Sequence, residues 1–232
     1  MATLRILSAG AAQAVVEQVI PAFERETGSE VVADFSAVGA MKARVLSGEA
    51  VDIIILTRAL IDELIASGHV DGGCVHDLGK VGTGVAVRAG TPLPEVSNEE
   101  ALRGNILAAT CIACPDPAVA TAGKVVMRLL EGLGVSEQVR SRLRFFPNGY
   151  AAMGWLAQSR GTLEMGMTQV TEILANSGVR YVGPFPDHYQ MKATYTAAQA
   201  ARAASPQLAR DFIGRLTSPG AHAMLKAAGY EL

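Results

Sequence analysis

A chain of 232 residues, half of them hydrophobic, 18% charged and 5% aromatic, with a formal net charge of -2, is long enough to bury a real core as one large domain or two small lobes. It carries no polybasic strip and no interleaving of basic with aromatic residues, which argues against nucleic acid as a partner. No apolar run reaches the roughly 18 residues that span a bilayer, so membrane insertion is not expected.

The opening "MATLRILSAG" reaches strand-like residues by position 3, without the basic and apolar regions of a signal peptide. A true start at Met1 implies a cytoplasmic protein; a removed leader implies an exported one. Strands are then expected at 3–8, 30–35, 52–56, 80–88, 108–114, 143–147, 163–167, 179–183 and 191–198. Helices are expected at 11–27, 39–47, 58–67, 98–104, 120–133, 149–159, 169–176, 205–216 and 219–227. Val15, Val16, Val19, Ile20 and Phe23 share one face of the first helix, and Gly28 and Gly48 end the first two. Ser97 with Glu100 reads as a capping box. Alternation of this kind specifies an α/β protein with helices on both faces of mostly parallel sheets.

Two extended stretches, 77–94 and 188–200, suggest crossings between two lobes. The expected division is 1–82 plus 195–232 for the first lobe, with 83–194 inserted as the second. Three cysteines, Cys74, Cys111 and Cys114, argue against a disulfide framework. The "CIAC" spacing matches a redox pair, but within a buried strand at 106–114 positions i and i+3 face opposite ways. A core role is preferred, as it is for Met127, Met153, Met165 and Met167. Trp155 reads as packed on a helix face, and Arg140, Arg142 and Arg144 as a solvated patch.

The chemistry is expected at the helix starts. "SAGAAQAVV" places small uncharged residues after the first strand, where outward-pointing N–H groups make a seat for an anion. "FSAVGAMK", "CPDPAVATAGK" and "FPNGYAAMG" repeat the pattern. In open α/β sheets ligands gather beyond the carboxyl ends of the strands, at such turns.

The pieces in their order, "LSAGAAQAVVEQVIPAFERETGSEV", "SGEAVDIIILT", "IACPDPAVATAGKVV" and "ARDFIGRLTSPGAHAMLKAAGYEL", resemble the molybdate-binding-like proteins of ABC transporters, within the type II periplasmic binding protein superfamily. The resemblance covers nearly the whole chain. It implies two α/β lobes with a central cleft, a small anionic ligand, a monomer, a periplasmic location, and an ABC transporter membrane component as partner if the chain is exported. No cofactor and no metal are implied.

Two hydroxyl side chains that donate to the oxyanion in molybdate binders correspond here to Ala11 and Val38, and a late tyrosine corresponds to Met167 or Thr168. Neither Ala11 nor Val38 has a side-chain donor. The resemblance therefore implies a carboxylate rather than molybdate. The expected ligand-binding residues are Gly10, Ala11, Ala12, Val38, Gly39, Lys42, Thr57, Ala118, Thr121, Asn148, Gly149, Tyr150, Thr168 and Gln169. Lys42 is read in the first turn of its helix, where a cation opposes the macrodipole unless an anion lies between them. Arg58 follows Thr57 and reads as decorating a helix start. Thr168 and Gln169 are read as opening a helix.

The superfamily neighbourhood also includes aconitate isomerase-like proteins, so an isomerase shifting a double bond in a small carboxylate is the alternative. Its base is not obvious; His188 and Asp116 are the weak candidates, while His69 and His76 read as loop residues and His222 as a residue of the last helix. Asp116, before a proline and a helix, reads first as a turn residue. No Ser-His-Asp order, HExxH, P-loop or GxGxxG supports another enzyme class.

Overall fold

The computed structural model describes residues 2–232, which fall into two α/β units. The first joins the chain up to Val81 with Ala193–Leu232; the second is Gly82–Lys192.

In the first unit, strand β1 (Thr3–Ala9) pairs in parallel with β2 (Glu30–Ser36) and with β3 (Ile53–Thr57). Strand β10 (Ala193–Ala200) runs antiparallel to β3 and to β4 (Val70–Val81), giving the order β2-β1-β3-β10-β4. Helices α1 (Gln13–Thr27), α2 (Val38–Leu46), α3 (Arg58–Ala66), α9 (Pro206–Thr217) and α10 (His222–Ala227) complete the unit. The run Ile53–Leu56 is fully buried, as expected of a strand in a sheet's interior. Phe23 of α1 meets Phe212 of α9 edge-on, with ring centroids 5.0 Å apart. Burying each ring contributes on the order of 1.5–3 kcal/mol, and this is why the last helices belong with the first. Gly28, at φ 66°, closes α1 in the left-handed conformation that glycine adopts without cost.

In the second unit, β6 (Cys111–Pro115) pairs in parallel with β7 (Leu143–Phe146) and β8 (Glu164–Gln169). Strand β5 (Thr83–Arg88) runs antiparallel to β8 and to β9 (Val179–Pro184), giving the order β7-β6-β8-β5-β9. Its helices are α4 (Glu99–Ala108), α5 (Thr121–Gly132), the short α6 (Ser136–Val139), α7 (Gly149–Gln158) and α8 (Val170–Leu174). One core holds α4 and α5; the other holds α7 with Ile173 and Val179. Met153, Met165 and Met167 are fully buried core residues, and Met127 is partly buried against the core that holds Met165 and Met167.

Several sequence expectations are corrected. The strand expected at 80–88 is two strands in two sheets, β4 and β5, parted at Gly82. His69 lies just ahead of β4, but His76 stands within it rather than in a loop. Residues 106–108 end α4 instead of opening a strand, and α4 is capped by Asn98, whose side chain accepts from the Ala101 N–H at 2.9 Å, not by Ser97. Thr168 and Gln169 end β8 rather than open a helix. Arg142 is not merely solvated: its guanidinium donates to the carbonyls of Leu107 and Ala109, both at 2.7 Å, and of Gln138 at 2.9 Å. Arg144 lies over the Trp155 ring at 4.6 Å, and Trp155 packs beside Phe146.

Candidate functional site

In the first unit the parallel strands β1, β2 and β3 end together, so the turns that follow them share one edge of the sheet. After β1, Gly10–Ala12 form a single buried 3-10 turn that runs into α1. Ala9 and Ala12, the residues that precede the turn and the helix, bring no side-chain oxygen to the first N–H groups. The turn is anchored from behind: Tyr230 donates its hydroxyl to the Ala11 carbonyl at 3.1 Å, and Ser8 turns its hydroxyl back onto the Ala9 carbonyl at 3.0 Å. Ser8 is fully buried and serves the backbone.

After β2, Ala37 is the N-cap of α2 and again supplies no side-chain acceptor; Val38 is buried and Gly39 exposed. After β3, Thr57 is the N-cap of α3, and its hydroxyl makes no capping bond. These N-termini keep the partial positive charge of their unsatisfied N–H groups.

The cations nearby are already partnered. Lys42 stands in the second turn of α2, not the first, and pairs with Glu63 of α3. The anion that answers its charge is part of the protein. Arg58 donates to Asp62 at 2.8 Å and reaches Asp77 of β4 at 3.5 Å, while Asp77 accepts the Thr196 hydroxyl at 2.6 Å. Arg58 is about half exposed, so these pairs fix its direction more than they stabilise the fold. The Arg58 guanidinium is raised above its ordinary value, first by the hydrogen bond to Asp62, and stays charged.

In the second unit β6, β7 and β8 are parallel and their carboxyl ends share one edge. Asp116 is a turn residue: its carboxylate accepts the Ala118 N–H at 2.8 Å, and its carbonyl accepts those of Val119 and Ala120. Ala118 thus has no N–H left to offer a ligand. Thr121 opens α5 behind Ala120, which supplies no side-chain cap. Gly123 allows α5 to pass directly over the turn, because a Cβ there would overlap the backbone of Pro115 to Pro117.

The fourth expected seat, at 148–150, is occupied from within. Asn148 caps α7 by accepting the Ala151 N–H at 2.8 Å, and Gly149 donates to the Glu172 carboxylate at 3.1 Å. Thr168 donates its hydroxyl to the same carboxylate at 2.6 Å. Glu172 is 5% exposed; burial pushes its carboxyl above the ordinary range, against the opposing pull of Thr168 and the Gly149, Gln169 and Tyr150 N–H groups. Asn148, Gly149, Tyr150 and Thr168 therefore stand together, but around Glu172. Gln169 is almost fully buried beside them, with its Oε1 unpaired among the described residues. Glu172 was missed by the sequence reading because a glutamate in the first turn of a helix ordinarily signals only dipole compensation.

His188 lies in a 3-10 turn, where Nε2 meets Glu99 at 2.9 Å and the ring leans at 47° against that of Tyr189. It is more than half exposed and joins none of the strand-end turns. Burial pushes the Cys114 thiol up to about 12 and raises Cys111 as well, the opposite of what a reactive redox pair requires. Among the described residues no group of three or more His, Cys, Asp or Glu side chains gathers to hold a metal, and no helix is long and apolar enough to cross a membrane.

The fold is that of the type II periplasmic binding proteins. The periplasmic molybdate-binding protein of Azotobacter vinelandii superposes with a TM-score of 0.82 at 22% identity, covering 99% of each chain. The sulfate-binding protein of Mycobacterium tuberculosis H37Rv superposes with a TM-score of 0.74 at 18% identity, over 99% of this chain and 86% of that one. By sequence, an aconitate isomerase from Pseudomonas sp is 28% identical over 233 residues, covering 98% of this chain and 87% of the relative. The family model for bacterial extracellular solute-binding proteins matches residues 4–231, and the chain belongs to that family.

Proposed function

We propose that this protein captures a small carboxylate, holding it by backbone N–H groups at the ends of the parallel strands. The observation that carries the reading is the set of helix starts without side-chain caps at Gly10–Ala12, Val38–Gly39, Thr57 and Thr121, each just beyond a strand's carboxyl end. Their donors suit an anion, and Thr57 adds a hydroxyl. Arg58 lies at the Thr57 junction, held there by Asp62 and Asp77.

A carboxylate is favoured over a tetrahedral oxyanion because Ala11 and Val38 carry no hydroxyl. Each missing donor to a buried charge costs an oxyanion on the order of 1.5–3 kcal/mol. Transport through an ABC transporter is the role that goes with this reading.

A second reading, an isomerase of a small polycarboxylate, is favoured by the likeness to the Pseudomonas aconitate isomerase along 98% of this chain. One experiment separates the two. The purified protein is melted with molybdate, tungstate, sulfate and a panel of di- and tricarboxylates that includes cis- and trans-aconitate, and each stabilising compound is recovered for proton NMR. A ligand at 100 times its dissociation constant stabilises by about 2.7 kcal/mol, a shift of several degrees. A carboxylate that stabilises and returns unchanged supports capture; one that returns isomerised supports the enzyme. Stabilisation by molybdate instead overturns the carboxylate reading.

A further inference from the structure

The first turn of α7 directs N–H groups onto the protein's own side chains. Gly149 donates to Glu172 at 3.1 Å and Ala151 donates to the Asn148 side chain at 2.8 Å, and the Tyr150 N–H adds to the pull on the Glu172 carboxyl. Donors that a helix N-terminus normally leaves open are met here by the protein's own side chains. The carboxylate that meets the Gly149 N–H arrives from α8, 23 residues along the chain, and is steadied on its other oxygen by Thr168. The close approach is built into the sequence, because any Cβ at position 149 would overlap both Glu172 and Thr168. The seat also lies on the same edge as the Thr121 junction, since α7 and α5 follow neighbouring parallel strands.

We propose that Glu172 is a resident anion that determines specificity: its carboxylate fills the α7 seat and keeps a tetrahedral oxyanion such as sulfate or molybdate out of it. This rests on the solute-capture reading above. A ligand must then find its donors at the other junctions. An oxyanion brought to this edge meets a resident carboxyl where it would need N–H groups. A carboxylate needs only two oxygens satisfied and can be held without the α7 turn.

The test compares the native protein with Glu172→Ala and Glu172→Gln, titrated with sodium sulfate and with sodium formate against sodium chloride of matched ionic strength. Amide resonances of Gly149 and Tyr150 and the melting temperature are followed. In the native protein and in Glu172→Gln, where an amide oxygen still fills the seat, these two amides should not titrate. In Glu172→Ala they should shift saturably with sulfate or formate, and the melting temperature should rise by several degrees over the chloride control. A folded Glu172→Ala that shows no saturable shift overturns the proposal, as does saturable titration of these amides by sulfate in the native protein. If Glu172→Ala does not fold, the native and Glu172→Gln spectra decide: the two amides must stay unmoved by sulfate in both, yet differ in position between them. Failure of the capture reading is separately visible, as a native protein that no carboxylate stabilises.

Discussion

Gly149→Ala places one methyl group where the structure has no room. A glycine in a helix normally gains about 0.5–1 kcal/mol on replacement by alanine, because alanine loses less freedom on folding. At position 149 the added Cβ would overlap Glu172 and Thr168, which are both buried and bonded to each other. Forcing a methyl into such a site costs roughly 1–3 kcal/mol. Displacing the Gly149 N–H or the Thr168 hydroxyl from a buried carboxylate adds about 1.5–3 kcal/mol for each bond lost. Set against the helix gain, the net loss should be about 2–4 kcal/mol, which for a chain of this size lowers the melting temperature by roughly 5–15 °C. Gly104→Ala is the matched control: it sits inside α4 with nothing within 4 Å of its would-be Cβ, and should melt slightly higher than the native protein. Circular dichroism melts give the size of both effects. Hydrogen exchange over residues 149–174 shows whether the loss is located at α7 and α8. A Gly149→Ala protein that melts with Gly104→Ala, above the native chain, refutes the packing described around Glu172.

Tyr230→Phe removes the hydroxyl that holds the Ala11 carbonyl, and should cost about 1–2 kcal/mol in a thermal melt while weakening any stabilising ligand that depends on the 10–12 turn. Because burial raises the Glu172 carboxyl, the native state holds that proton more tightly than the unfolded chain does. The resulting stability is complete below the ordinary carboxylate range and is lost as pH rises through the raised value. Glu172→Gln has no such slope, so its melting temperature relative to the native protein should climb as pH increases above that range. Cys114, buried and with its thiol pushed up to about 12, should resist alkylation at pH 8 in the native protein and react on unfolding, read by mass spectrometry. Asp52→Ala leaves the Arg5 and Ser205 N–H groups, now bonded at 2.8 and 2.9 Å, without their acceptor and should cost about 2–4 kcal/mol, read as a lower denaturation midpoint.

The alternation of strand and helix was legible because each buried strand is short and apolar and each helix shows one apolar face, as in Ile53–Leu56 and in Val15, Val16 and Phe23. Strand β4 was not legible for the opposite reason. "VDGGCVHDLGKV" carries three glycines, and in the folded chain it is a twelve-residue edge strand that buries about every fourth side chain instead of alternating. Its pairing with β10 shifts register twice, so no period of two survives. Burial of an edge strand depends on a neighbour 120 residues away, and local pattern does not contain it.

The helix starts posed a different problem. Small residues after a strand read the same whether their N–H groups are left open or are met by a side chain from elsewhere. Asn148 could be read as a cap, because the bond to Ala151 is local. Glu172 could not be placed at Gly149, because that bond spans 23 residues and depends on how α8 packs against α7. The same holds for Lys42, whose partner Glu63 lies on the next helix. What sequence supplies is therefore an inventory of possible anion seats, and what the fold adds is which of them the protein has already filled. With the α7 turn, Ala118 and Lys42 accounted for internally, the proposed capture of an anion is left with the uncapped helix starts at Gly10–Ala12, Val38–Gly39 and Thr57 in the first unit and at Thr121 in the second. Thr57 and Arg58, whose side chains are not buried, are the positions where substitution tests the first unit's strand ends without cutting into its core.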